Sequence, residues 1–212
     1  MIIKVKLSPL IILMLLIFGC GENDKKEQSP IVHEKTLVQK NFGNYIIANQ
    51  TLGVELNPEQ FATWFDLVKR ASTIICHDSI PKITLKTNDK IKIVYFQNPC
   101  LEKESYKPIK SKNIIEIKND SVLKYPKIKF PIDSLESVLR NDINNYGKNP
   151  LLCEDPKKLV ISISYDKYHK FDKLLDNLNQ VTDQYFNITD KTEIKIWLTD
   201  MAFLKPPLPP NK

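Results

Sequence analysis

The spacing of apolar residues in the second half of this 212-residue chain constrains its fold more than any other feature. Residues 113–125 alternate apolar and polar side chains on both sides of Asn119-Asp120, which predicts two short strands. A helical stripe follows at 135–143, then a strand at 158–164, a second stripe at 171–181 and a strand at 192–198. The order β-β-α-β-α-β predicts an α+β fold with helices packed on one face of a sheet.

Local signals define the two helices of this half. Asp133, followed three residues later by Glu136, predicts a capping box at the start of the first helix. Asp166 follows a strand and is predicted to cap the second helix at its positive end. The face of the second helix that packs on the sheet is predicted to comprise Phe171, Leu174, Leu175, Leu178 and Val181.

The segment 42–100 predicts an additional helix and a β-hairpin. Asn57 with Pro58 is typical of a helix start, and the apolar spacing that follows predicts an amphipathic helix ending near Ser72. Residues 82–86 and 90–96 alternate about a Thr-Asn-Asp turn, which predicts the hairpin. Residues 97–112 are polar and contain two prolines, so they are predicted to link the two halves.

Three stretches of the second half are similar to a known family: "ISISYDKYHKF", in which Phe171 lies five residues after Asp166, "FPIDSLESVL" and "EIKIWLTD". With the element order, they resemble the periplasmic domain of ExbD/TolR biopolymer-transport proteins over residues 113–200. The resemblance implies a domain that works by binding a partner. That family also has a membrane-embedded Asp, and the apolar stretch 7–18 here contains none.

The first thirty residues predict export and lipid anchoring. Two lysines precede an apolar run of twelve residues, 7–18, which is short for a bilayer-spanning helix of about 20 residues. Ile17-Phe18-Gly19-Cys20 resembles the lipobox of bacterial lipoproteins, which implies cleavage before Cys20 and lipidation of its thiol. The predicted parts are therefore a signal peptide at 1–19, a polar tether at 20–41, the segment 42–100, the ExbD/TolR-like domain at 113–200 and a Pro-rich tail at 201–212. An ordinary cleaved signal or an uncleaved anchor is the alternative.

The composition after the signal excludes some functions. The formal charge of +6 falls to +4 without Lys4 and Lys6, and the remaining lysines are interleaved with glutamates along the chain. A nucleic-acid-binding protein is expected to show a concentrated basic stripe. Phosphate-cradling loops require several close glycines, and the chain has five glycines in total. We therefore expect neither a nucleic-acid partner nor a nucleotide cofactor.

Three cysteines follow Cys20, and an exported protein is in a compartment where disulfides persist. Because three is odd, at most one intramolecular pair forms. Cys76 and Cys100 flank the predicted hairpin, so Cys76–Cys100 is the favoured disulfide, and Cys100–Cys153 is the alternative. No cysteine spacing indicates a zinc site, so no metal is predicted.

Catalytic patterns are weak. The chain contains neither HExxH nor GxSxG. Cys76-His77-Asp78 contains the residue types of a triad, and Cys153 with His169 or Asp166 with Asp172 are conceivable pairs, but a disulfide, a free thiol and a helix cap explain them better. We therefore expect no enzyme and no cofactor.

The sequence thus predicts a lipid-anchored bacterial envelope protein, at the outer membrane facing the periplasm or the surface. We expect it to bind an envelope protein or peptidoglycan, in a role similar to that of an ExbD/TolR accessory. An envelope hydrolase with an unrecognised Asp/His site and an inhibitor or immunity lipoprotein are the alternatives.

Overall fold

The computed structural model describes residues 37–43, 53–87, 89–102, 108–166 and 171–200. All of them belong to one compact unit, residues 36–212. Two mixed β-sheets and three α-helices make it an α+β protein, which confirms the predicted class. The predicted signal peptide, Cys20 and the Pro-rich tail lie outside the described residues.

The first sheet is built from the segment 38–95 in the order β1-β4-β3-β2. The antiparallel pair at its centre, β3 (Ile80–Lys86) with β4 (Lys90–Tyr95), is the predicted hairpin. Strands β1 (Val38–Phe42) and β2 (Gly53–Glu55) each pair in parallel with one hairpin strand. The alternation of apolar residues thus places one face of the hairpin in the core.

The second sheet has the order β7-β6-β5-β8-β9. Its antiparallel part contains β5 (Ile114–Lys118), β6 (Ser121–Lys124) and β7 (Ile128–Pro131). Its parallel part joins β5 to β8 (Val160–Ser164) and β8 to β9 (Lys195–Thr199). The three parallel strands start at the same edge of the sheet, so the residues that precede them converge there.

Three helices complete the fold: α1 (Trp64–Cys76), α2 (Leu135–Ile143) and α3 (Leu174–Thr189). Their buried residues belong to one hydrophobic core that also includes residues of both sheets. Among the described helices, none is long and apolar enough to cross a bilayer.

The two sheets are joined along the outer edge of β9. The Gln97 amide donates to the Ile196 carbonyl at 3.0 Å, and the Asn98 side chain bonds both the carbonyl (2.6 Å) and the amide (3.0 Å) of Leu198. These two residues, predicted as linker, therefore protect an edge of the sheet that would otherwise expose unpaired backbone groups.

A glycine is required where β1 leaves the first sheet. Gly43 has a φ of +77°, and a Cβ there would lie 2.4 Å from the Tyr95 carbonyl oxygen. Its amide donates to the Thr192 carbonyl at 2.9 Å. The close backbone approach ties the end of β1 to the segment that leads into β9.

Two strands differ from the prediction. β1 begins at Val38, inside the stretch predicted as tether, because Phe42 is buried and the preceding residues pair with β4. β7 adds a third strand after the β5–β6 hairpin, so the order in this half is β-β-β-α-β-α-β. This edge strand is short, largely exposed and ends in proline, which weakened its signal in the sequence.

The predicted helix starts were wrong in three places. Asn57 caps a single 3₁₀ turn, Pro58–Gln60, whereas α1 starts at Trp64 with Thr63 as its cap and continues to Cys76. No capping box forms at Asp133, since a 3₁₀ turn occupies 132–134 and the Glu136 side chain pairs with Arg140 instead, at 2.6 Å. Asp166 is not the cap of α3, which begins eight residues later.

The packing face of α3 was predicted correctly for Leu174, Leu178 and Val181, which are fully buried. Leu175 was predicted wrongly, because it is 40% exposed. The buried arc of the helix is rotated towards polar Asn177, whose side-chain amide donates to the Tyr165 hydroxyl at 2.8 Å. A hydrophobic stripe alone does not reveal a polar residue that is buried because it has a partner.

We expect Leu178→Ala to lower the free energy of unfolding by about 2–5 kcal/mol, because a fully buried leucine leaves a cavity when truncated. Leu175→Ala on the same helix is the matched control and should cost less than about 1 kcal/mol, because that side chain remains partly in water. Urea unfolding monitored by circular dichroism measures both. Equal losses would contradict the described helix orientation.

Candidate functional site

The predicted disulfide is present. Cys76 ends α1 and Cys100 follows β4, and the two residues are bonded with a Cα–Cα distance of 5.0 Å. The bond closes a segment with a sequence separation of 24, which in the chain-entropy model stabilises a fold by about 3 kcal/mol. It fixes α1 beside the strand segment that protects β9.

The disulfide also removes two other interpretations of Cys76. A carboxylate oxygen of Glu102 and the sulfurs of Cys76 and Cys100 lie within 4.8 Å of one another. Because the sulfurs are bonded to each other, neither is a thiolate that could bind a metal. For the same reason Cys76 cannot act as a nucleophile with His77 as its base. His77 Nδ1 lies 2.7 Å from the Thr73 carbonyl oxygen instead.

The remaining catalytic candidates are not assembled in the described part of the chain. The Cys153 thiol is buried and free of a disulfide, and burial raises its pKa, so it stays protonated. Asp166 binds the β5–β6 turn through Asn119 Nδ2 at 2.9 Å and Lys118 Nζ at 3.0 Å. His33 and His169 lie outside the described residues.

One concave surface lies on the face of the second sheet opposite its helices. Ile115 and Ile117 of β5 are buried in the core, so Ile114, Glu116 and Lys118 project from the opposite face. Because the described residues place no helix on this surface, we call it the helix-free face. It borders a cavity of about 600 Å³ whose lining includes Ile114, Leu123, Tyr125 and Pro126.

The helix-free face combines apolar and polar groups. Tyr125 at the end of β6 is 45% exposed, and Glu116 accepts a hydrogen bond from Ser164 Oγ at 2.9 Å. Next to them, Ser162 Oγ and Thr199 Oγ1 are 2.7 Å apart. The exposed Tyr125 suits contact with a partner, since an aromatic ring with a hydroxyl offers both apolar area and a polar group.

A second feature lies at the end of the second sheet where its three parallel strands, β5, β8 and β9, begin. Glu154 Oε1 is 2.8 Å from Lys110 Nζ and 3.0 Å from Lys112 Nζ, and Glu154 Oε2 is 3.1 Å from Lys158 Nζ. Hydrogen bonds from these ammonium groups lower the pKa of Glu154 from 4.5 to about 2. Lys195 lies in the same region, and its Nζ donates to the Lys157 carbonyl at 2.7 Å.

We call Lys110, Lys112, Lys158 and Lys195, with Glu154 among them, the lysine cluster. It borders a cavity of about 310 Å³. Along the chain these lysines form no block, which is why sequence reasoning missed them. They could have been recognised from their positions, because each lysine immediately precedes or begins one of the parallel strands β5, β8 and β9.

No protein-family model, curated protein or solved structure matches this chain.

We expect Glu154→Gln to make the free energy of unfolding less dependent on pH in the acidic range. The folded-state pKa of Glu154 is below its ordinary value, so its stabilisation is complete above pH 4.5 and is lost as the pH falls towards about 2. The stability difference between wild type and variant should therefore shrink across that window. Urea unfolding between these pH values measures it.

Glu136→Gln is the control, because it removes an exposed carboxylate that pairs with one arginine on α2. An unchanged pH slope in Glu154→Gln would contradict the role assigned to Glu154.

Proposed function

We propose that this protein is a lipid-anchored protein of the bacterial cell envelope that acts by binding a second envelope component, a protein or peptidoglycan. The observation that carries the proposal is the lipobox-like sequence Ile17-Phe18-Gly19-Cys20, placed between a short apolar run and a polar segment. Two acyl signals at such a cysteine hold a chain stably in a membrane.

The Cys76–Cys100 disulfide supports an exported location. Disulfides persist in the periplasm and at the cell surface and are rare in the cytosol. The bond joins α1 to the segment that runs along β9.

The helix-free face supports action by contact. It presents Tyr125 and a partly exposed apolar surface beside the cavity, and surfaces of this kind are typical of binding sites. Residues 113–200 further support an ExbD/TolR-like binding role through their element order, with β7 as an addition to the pattern. We propose this likeness for the binding part of the family's role alone, since the stretch 7–18 contains no Asp.

Lipidation at Cys20 is tested by labelling. We expect the full chain, made in a bacterial host with labelled palmitate, to take up the label and to partition into the membrane fraction. Cys20→Ala should lose the label, because the acceptor thiol is gone, whereas Cys153→Ala serves as a control that also lacks a cysteine. Equal label in the Cys20→Ala and Cys153→Ala proteins would refute the anchor.

The binding face is tested by site-specific photo-crosslinking in cells. We expect a photoreactive residue at Tyr125 to form a discrete adduct with a protein or a muropeptide, because this position lies on the helix-free face. Tyr146 is the control, being an exposed tyrosine in the loop after α2. No adduct at 125, or the same adduct at both positions, would argue against the helix-free face as the contact surface.

A further inference from the structure

The lysine cluster has a topological origin. Lys110 and Lys112 precede β5, Lys158 precedes β8, and Lys195 opens β9. These strands are parallel and adjacent, with Ile114 beside Val160 and Val160 beside Lys195 in the register. Their amino ends therefore gather four ammonium groups from three separate parts of the sequence at one end of the second sheet.

The charges within the cluster do not balance. Two carboxylates, Glu154 and Asp155, lie beside the four ammonium groups, which leaves two positive charges in excess. Asp155 accepts a hydrogen bond from the Lys157 amide, so it lies beside the cluster. Asp142, the next acidic group along the chain, is paired with buried Lys124 and adds nothing to this surface.

The positive charge is accessible. The side chains of Lys110 and Lys158 are 67% and 57% exposed, whereas Glu154 below them is 22% exposed. Lys110, Lys158, Lys195 and Asn113 also line the cavity of about 310 Å³. Because the ammonium groups already converge on one carboxylate oxygen pair, they are arranged to bind an oxyanion, and lysine binds phosphate as a compact point charge.

This inference rests on the proposed function. A lipid-anchored domain lies near the anionic phosphate groups of lipid headgroups, which the cluster could bind. Residues 21–37 connect Cys20 to β1, and seventeen residues span at most about 60 Å when fully extended. An anchored domain is therefore held within about 60 Å of the headgroup phosphates, which gives it a high effective concentration at the membrane surface. Anionic headgroups attract lysines within about a Debye length of the surface.

The direction of the strands agrees with this placement. β1 starts at Val38 and runs parallel to β4. The continuation of β4 at Gln97 and Asn98 runs along β9 in the same direction, from Ile196 to Leu198. The start of β1, where the chain arrives from Cys20, and the lysine cluster thus lie towards the same end of the strands.

We propose that the lysine cluster binds the phosphate groups of anionic lipid headgroups in the membrane to which the chain is anchored, so that the amino ends of β5, β8 and β9 face the bilayer. The helix-free face, on the side of the sheet, then remains open to a partner.

Lysine footprinting on the full chain tests the proposal. The protein is reconstituted into vesicles of phosphatidylcholine alone or with about 30% phosphatidylglycerol, an anionic surface of the kind that attracts lysines. Acetylation rates at individual lysines are read by mass spectrometry. We expect Lys110 and Lys158 to react about fivefold more slowly on anionic vesicles, and added salt to abolish the difference.

Exposed lysines of the same chain serve as internal controls. Lys129 lies in the edge strand β7, and Lys173 pairs with Asp120 in the β5–β6 turn, at the carboxyl end of β5, so the rates of both should not change. Equal slowing at these lysines would mean a response to net charge and would overturn the proposal. Slowing by soluble polyphosphate but not by anionic vesicles would also overturn it, since the ligand would then be a soluble phosphate polymer.

Two double variants of equal net charge distinguish an effect of the lysine cluster from an effect of the overall charge of the protein. Lys112→Gln with Lys158→Gln should restore fast acetylation at Lys110, whereas Lys129→Gln with Lys173→Gln should leave Lys110 slow. Loss of protection in both variants, or in neither, contradicts a local site. Because the rates are compared within one chain, this result is independent of the palmitate test, and the anchor and the cluster can fail separately.

Discussion

A buried ion pair holds together the part of the molecule on which the lysine cluster depends. Lys124 Nζ is 2.7 Å from Asp142 Oδ2, and the side chains are 4% and 0% exposed. Burial raises the pKa of Asp142, and the hydrogen bond from Lys124 opposes that shift. Removing one partner of such a pair leaves an uncompensated buried charge, which typically costs about 3–5 kcal/mol. The pair therefore matters more as a constraint on geometry than as a net gain in stability.

The constraint reaches the surface through backbone hydrogen bonds. Asp142 Oδ1 accepts from the Cys153 amide at 2.8 Å, and Lys124 also donates to the carbonyl oxygens of Lys112 and Ile114. Next to it, the Glu154 amide donates to Asn113 Oδ1 at 3.0 Å. The segment before β5 and the segment before β8 are thus fixed to each other from below, and Glu154 is placed among lysines that come from both.

Elements defined by the spacing of apolar residues were predicted correctly from the sequence. The predictions were wrong where buried polar side chains determine how an element packs. The alternation in β3, β4, β5 and β6 was sufficient because these strands bury one face against the core. Leu175 was misassigned because Asn177, paired with Tyr165, takes the buried position beside the apolar stripe. The cluster around Glu154 could not be inferred, since it requires knowing that β5, β8 and β9 are adjacent and parallel.

Glu154 explains how such a cluster coexists with a stable fold. Three ammonium groups within 3.1 Å of one carboxylate would repel one another strongly if that carboxylate were absent. Glu154 offsets part of this repulsion in the folded state, which is the physical meaning of its low pKa. It does not neutralise the surface, because one negative charge serves three positive ones. The arrangement therefore keeps the lysines together without a bound ligand and leaves their outer faces to an external anion, so that little reorganisation is needed when one arrives.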